Sequence, residues 1–119
     1  MQALRGTCYA LAMSSCLFAL IAAPALARSA FSGVWTVQDT AHKPFQITLS
    51  PNGAAKANLK PGMAGRWKAH GDSAVIHWNT GWTTKIWRRG GGDYTKAGFR
   101  KGLSVSSAPT NHSSAEKVR

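Results

Sequence analysis

The sequence has only two cysteines and four acidic residues, and both shortages limit its chemistry. Cys8 and Cys16 lie within the first 27 residues, so the remaining 92 residues have no thiol. That part of the chain therefore has no disulfide, no cysteine nucleophile and no zinc–thiolate site. Four carboxylates scattered over 92 residues also argue against the paired acid–base chemistry of hydrolases.

Long apolar runs are absent except at the N-terminus. Residues 8–23 are almost wholly apolar, and the small-x-small ending that follows includes Ala25 and Ala27. This pattern predicts a signal peptide at residues 1–27, with those two alanines marking the cleavage site. We therefore expect an exported protein, periplasmic or extracellular after cleavage. The competing interpretation is an uncleaved membrane anchor.

A helical pattern is also missing from the rest of the chain. Apolar residues recur at a spacing of two, and glycine, threonine and tryptophan are frequent. Residues 28–102 are predicted to form one all-β domain, a single antiparallel meander of about seven strands in a curved sheet or small barrel. Residues 103–119 are rich in serine and are predicted to be a flexible polar tail or a loosely attached final strand.

Three turn sequences set the register of the predicted sheet. Loops at residues 51–53, 71–72 and 79–81 each contain a glycine that suits a tight hairpin. A one-residue slip would move every side chain to the other face, so each loop length determines which residues face each other. The expected pairs are Leu49 with Ala55, Ile47 with Ala57, Trp67 with Ile76, Ala69 with Ala74, and Ile76 with Thr84. All three hairpins place their apolar residues on one common face.

Tryptophan is abundant, with four of the five residues of this type between positions 64 and 87. The register places Trp35, Trp67, Trp78 and Trp82 on the apolar face. We interpret them as core, because burying such large rings strongly stabilises a small domain. The alternative is that they line a pocket for a small apolar ligand. Gly65 falls beside Trp78, where the missing side chain makes room for the ring.

Positive charge is in large excess. The chain from residue 28 onward has 14 Lys and Arg against four acids, a net charge of +10. The register gathers much of this charge on the opposite face, with one tryptophan, and we call this set the cationic face. Its predicted members are Lys56, Arg66, Lys68, His77, Lys85, Trp87 and Arg89. Lys96 is expected at one edge. Such a face suits phosphates or sulfates, with ring stacking on a sugar or base; the alternative is that it only provides solubility.

Catalytic and metal-binding patterns are also missing. Asp72 and Asp93 lie in glycine turns, where aspartate is common for backbone reasons. There is no Gly-x-Ser-x-Gly nucleophile turn. His70 and His77 share a face, but no cysteine or carboxylate lies between them to complete a metal site. We interpret Gly90–Gly92 as a hairpin loop, and we expect no enzyme, no cofactor and no metal.

Two segments share a short motif, Gly33-Val34-Trp35 and Gly65-Arg66-Trp67. A Gly-x-Trp at the start of the first strand resembles the calycin-type barrels, the lipocalins and avidins. The resemblance implies that the tryptophan closes one end of an up-and-down barrel whose mouth binds small apolar molecules. It also implies that a late basic residue, Arg100 or Lys96, packs over that tryptophan. The run from 65 to 82 resembles small uncharacterised bacterial secreted proteins, a likeness that implies no activity.

Three functions are consistent with these observations. The leading hypothesis is an exported, non-catalytic binding module whose cationic face contacts a surface polymer, a lipid headgroup or a nucleic acid. The first alternative is a calycin-like carrier that holds a small apolar ligand against the inner tryptophans. The second alternative is a structural or oligomerising envelope component, in which a homodimer covers one face of the sheet.

Overall fold

The chain folds into a closed antiparallel barrel. The structure, a computed structural model, describes residues 30–59 and 61–119. Its strands are β1 (Gly33–Gln38), β2 (Pro44–Leu49), β3 (Ala54–Ala57), β4 (Met63–His70), β5 (Ser73–Trp78), β6 (Thr83–Arg88), β7 (Tyr94–Phe99) and β8 (Asn111–Lys117). Each strand pairs with the next, and β8 pairs with β1 to close the ring. The predicted all-β antiparallel meander is confirmed; it has eight strands rather than about seven, and it is a barrel.

The register predicted from the three turns is correct. Leu49 lies opposite Ala55, and Ile47 lies opposite Ala57. Trp67 faces Ile76 across β4 and β5, and Ile76 faces Thr84 across β5 and β6. The turns have the expected chemistry, since Gly53, Gly71 and Gly81 all have positive φ angles. Side chains of alternate residues therefore point into the barrel, as the sequence predicts.

The C-terminal segment supplies the strand that closes the barrel. The sequence pattern of residues 103–119 predicts a flexible polar tail or a loosely attached final strand. Residues Asn111–Lys117 form β8, which pairs with β7 along five residues from Asn111 to Ala115. The other side of β8 pairs with β1, where the Val118 N–H also donates to the Val34 carbonyl (2.7 Å). The segment from 111 onward is therefore part of the sheet.

Aromatic rings close one end of the barrel interior. Trp35 is fully buried, and its ring centroid lies 4.9 Å from Tyr94 and 6.0 Å from Phe31. The Trp35 Nε1–H donates to the Phe31 carbonyl (2.9 Å). The basic group over Trp35 is Lys117, with Nζ 6.0 Å from the ring centroid. The expectation of Arg100 or Lys96 in that place is wrong, because β8 rather than β7 is the strand paired with Trp35.

Trp67 and Gly65 show why β4 needs its particular residues. Trp67 is 2% exposed, and its Nε1–H donates to the Ser50 carbonyl (2.9 Å) in the β2–β3 turn. Gly65 pairs with Trp78, and a Cβ at Gly65 would collide with the backbone carbonyl of His77. The indole of Trp67 therefore fills the core and also anchors a turn.

The predicted signal peptide, residues 1–27 with Ala25 and Ala27, lies outside the described residues. Among residues 30–59 and 61–119, no helix is long and apolar enough to cross a membrane.

Replacing Trp67 with alanine should lower the free energy of unfolding by about 3–5 kcal/mol, because it empties a ring-sized volume and frees the Ser50 carbonyl. Trp87→Ala is the matched control; Trp87 is only half-buried on the outer face, so the reduction should be clearly smaller. Urea denaturation followed by circular dichroism measures both. Equal reductions for the two variants would contradict the assignment of Trp67 to the core.

Candidate functional site

The predicted cationic face forms on the outside of β3 to β6. Rows of side chains cross the strands at right angles, because directly opposed residues share a face. The first row is Arg66, His77 and Thr83. The second row is Lys68, Val75, Lys85 and Ala97. The third row is His70, Ser73, Trp87 and Thr95. Two members are more peripheral: Lys56 lies on β3, and Arg89 lies just beyond the end of β6.

The centre of this face combines cations with an aromatic ring. Lys85 Nζ lies 5.4 Å from the centroid of the Trp87 ring, within cation–π range. Arg66 Nη2 donates to the Asn52 carbonyl (3.3 Å), which holds the guanidinium against the β2–β3 turn. The His77 ring Nδ1 lies 3.4 Å from the Thr83 hydroxyl. Arg66 and His77 are exposed, whereas Lys85 and Trp87 are half-buried.

The connection between β7 and β8 makes a groove over this face. Leu103, Ser104 and Val105 stand opposite residues of all three rows, and the groove between them has a volume of about 560 Å³. Val105 is one of the exposed large apolar residues, at 39% exposure. The sequence does not reveal this wall, because its serine-rich pattern predicts part of a tail. Of the cationic face, Lys85 and His77 line this groove, whereas Arg66 and Lys68 line a smaller hollow of about 190 Å³ beside it. The groove therefore has one lysine on its floor and one partly apolar side.

Acidic residues do not neutralise the face. Asp72 occupies the β4–β5 turn, Asp93 the β6–β7 turn and Glu116 the outside of β8. In the part of the chain that the structure describes, none of them forms an ion pair with a member of the cationic face. The Coulomb field of these cations is therefore not cancelled locally and extends about one Debye length, roughly 8–10 Å, into physiological solution.

A second cavity opens at the other end of the barrel from the Trp35 cluster. It has a volume of about 390 Å³ and lies where the β1–β2, β3–β4 and β5–β6 loops meet. We call it the mouth cavity. Its apolar lining consists of Ala41, Phe45, Leu59, Met63, Trp78 and Trp82. Three of the four inner tryptophans, Trp35, Trp67 and Trp78, are therefore buried in the core, and Trp78 also lines the mouth together with the half-buried Trp82.

Lys96 is the unexpected residue of this cavity. It pairs with Ile86 on β6 and Ser113 on β8, and it points into the barrel with only 3% of its surface exposed. Its Nζ donates to the Gln38 carbonyl (2.6 Å) and to Asn111 Oδ1 (2.7 Å). The expectation that Lys96 would lie at an edge of the outer face is wrong. The Gly90–Gly92 connection does not have a length that fixes the register of β7, so the sequence does not determine which residues of β7 point into the barrel.

Burial lowers the pKa of Lys96 from 10.5 to about 8, because the charged ammonium is poorly solvated inside the barrel. The nearby carboxylate of Asp39 acts in the opposite direction and raises the pKa. Asp39 is itself engaged by its loop, since its Oδ1 accepts from the N–H groups of Ala41 (2.8 Å) and Lys43 (2.9 Å). Lys96 thus remains mostly charged at neutral pH without an ion-pair partner among the described residues.

The other large depression has a different character. A shallow hollow of about 1020 Å³ lies beside β7 and β8. Its rim contains Arg89 and Lys117 but also Asp93 and Glu116, so it presents no charge of a single sign. Within the described ranges, no three His, Cys, Asp or Glu side chains are grouped so that they could hold a metal ion.

Comparisons with protein-family models, with curated proteins and with solved structures found no match. The two sites described above, the cationic face on the outside and the mouth cavity inside, are therefore the structural evidence on function.

The lowered pKa of Lys96 predicts how stability depends on pH. Between pH 8 and 10.5 the unfolded chain keeps the lysine proton that the folded protein has released. The unfolded state then binds more protons, so the free energy of unfolding should rise with pH across that interval. Relative to Lys96→Met, the rise should be roughly 1–3 kcal/mol, and below pH 8 the difference between the two proteins should be constant.

Urea unfolding of both proteins across that interval measures this effect, because the titration of all other groups cancels in the difference. Lys85→Met is the control for removing a lysine from the outer surface. If the curve of Lys96→Met runs parallel to that of the parent, Lys96 is not a buried cation.

Proposed function

We propose that this protein is an exported, non-catalytic binding module whose cationic face binds a polyanion carrying phosphate or sulfate groups. The observation that supports this proposal is that Arg66 and Lys68 on β4 share the outer face with Lys85 on β6, with β5 between them. Lys85 lies beside Trp87, and no carboxylate among the described residues is ion-paired with these cations. Fixed strands hold these cations in place, so binding requires little ordering of the protein backbone.

The groove suggests how such a polymer would lie. Lys85 in the groove, with Arg66 and Lys68 beside it, would neutralise successive anionic groups and release their counterions, which provides most of the affinity. Trp87 offers a ring face on which a sugar or base of the polymer can stack. The wall formed by Leu103 and Val105 gives apolar contact on one side. Affinity should therefore depend strongly on salt and weakly on the sequence of the polymer.

Two competing explanations make different predictions. If the cations only keep the protein soluble, charges at any position will contribute equally to binding. If the protein is a structural or oligomerising component, its stability will increase with protein concentration, because dimer formation stabilises the folded state by mass action. Thermal unfolding over a wide range of protein concentrations tests the second explanation directly.

The test uses the chain from Arg28 onward and follows tryptophan fluorescence during titration with polyphosphate at low and moderate salt. Trp87 is the reporter, since it is the tryptophan on the outer face. A single-stranded oligonucleotide and vesicles of anionic lipid provide the other sources of phosphate. Binding to polyphosphate and the oligonucleotide without binding to vesicles would indicate a linear polymer, whereas binding to vesicles alone would indicate lipid headgroups.

Lys68→Gln combined with Lys85→Gln should weaken polyphosphate binding about tenfold or more and lower the slope of log affinity against log salt by about 2, because each lysine accounts for the release of about one counterion. Stability should change little, because both side chains end in solvent. The charge-matched control is Lys43→Gln with Lys101→Gln, two exposed lysines in loops at the barrel mouth. If the control weakens binding as much as the double variant does, the cationic face is not the binding surface.

A further inference from the structure

The barrel interior differs at its two ends. Phe31, Trp35 and Tyr94 pack closely and fill one end, with Tyr94 edge-on to the other two rings, and Trp35 has no exposed surface. The other end contains the mouth cavity of about 390 Å³. This volume falls within the range of small-molecule sites, about 300–1,000 Å³. An eight-stranded barrel of this kind is wide enough either to be filled by side chains or to hold one small ligand.

The walls of the mouth cavity favour an apolar body. Phe45, Leu59 and Met63 approach from the β1–β2 and β3–β4 side, and Trp78 and Trp82 from the β5–β6 side. The one polar group of the Trp78 side chain is already used, because its Nε1–H donates to the Thr84 hydroxyl (2.8 Å). Trp82, which is half-buried, and the part of Trp78 that lines the cavity therefore offer apolar rather than polar contact to a ligand.

The floor of the cavity presents a positive charge. An ammonium group has three N–H donors, and two of those of Lys96 are used by the Gln38 carbonyl and Asn111 Oδ1. The Phe45 ring lies 5.6 Å from Nζ on another side. Among the described residues, the third N–H has no acceptor. Because both existing acceptors are neutral, the charge also has no counterion in contact among those residues.

Lys96 is held in this position by its neighbours. Gly98 on β7 and Asn111 on β8 face each other, and a Cβ at Gly98 would press on the Asn111 amide. The Asn111 amide nitrogen donates to the Thr40 hydroxyl (2.8 Å), which orients its oxygen toward Lys96. A buried lysine costs stability unless it is paired, and replacement by an apolar residue of similar volume is often neutral or stabilising. A structural role alone therefore does not account for a cation here.

We propose that the mouth cavity binds a small amphiphile with an apolar body and one carboxylate, and that this carboxylate accepts a hydrogen bond from Lys96 Nζ. The ligand would place its apolar part against the tryptophans and its anionic group at the floor. Asp39 is the other ionisable group among the described lining residues, and its engagement by the backbone N–H groups of Ala41 and Lys43 limits its repulsion of the ligand. This inference does not depend on the proposed function of the cationic face, which lies on the opposite side of the sheet.

The test compares two probes of equal chain length, decanoate and decanol, by titration calorimetry at neutral pH. The parent protein should bind decanoate more tightly. Lys96→Met should weaken decanoate binding about 10- to 100-fold, as expected for removal of a buried charge-assisted hydrogen bond, and should weaken decanol binding much less, because a hydroxyl group has no charge to pair with the ammonium. Lys96→Arg should restore most of the preference for decanoate, because it keeps the charge and the donors. Lys85→Met is the control on the outer face and should bind decanoate as the parent does.

The pH dependence gives a second readout. The preference for decanoate over decanol should decrease as pH rises beyond about 8, where Lys96 releases its proton, and this decrease should be absent in Lys96→Met. If neither probe binds the parent, or if both bind equally well, the inference fails. It also fails if Lys68→Gln with Lys85→Gln abolishes decanoate binding, since the outer face would then be the site. Weakened polyphosphate binding in that double variant with decanoate binding retained would separate the two proposals.

Discussion

The whole structure depends on the pairing of β8 with both β7 and β1. The other strands follow one another through short turns and loops, whereas β8 arrives after the longer connection of residues 100–110 and satisfies the two remaining sheet edges at once. An open sheet of this size would expose a row of unpaired backbone groups and one apolar face. Closure of the barrel pairs these backbone groups and buries the apolar face without a disulfide. Because side chains alternate along each strand, the inside is apolar and the outside is basic.

That separation explains how so basic a chain can fold. The cations of the outer face project from strands into solvent, where repulsion between like charges is screened and long stems can spread. Lys96 is the exception, because it points inward on β7. Desolvation by burial lowers its pKa to about 8, and the carboxylate of Asp39 offsets only part of this effect. The protein therefore keeps in its interior a cation whose burial costs stability.

The sequence predicted most of the sheet because its turns are informative. Loops 51–53, 71–72 and 79–81 each have a defined length and a glycine with positive φ, so parity follows directly from them. The β6–β7 connection lacks this information, since three successive glycines are compatible with several registers. The sequence does not predict β8 as a definite strand, because its inward positions Asn111 and Ser113 are polar. Only Ala115 is both buried and apolar. The structure explains these polar residues by their position beside Lys96, which pairs with Ser113 and donates to Asn111.

The two proposed sites share strands but not side chains. On β6, Lys85 belongs to the outer groove, whereas its neighbours Thr84 and Ile86 face the interior. The same holds on β5, where His77 is outside and Trp78 lines the mouth. Because adjacent residues of a strand point to opposite faces, substitutions on one side leave the other side's contacts intact.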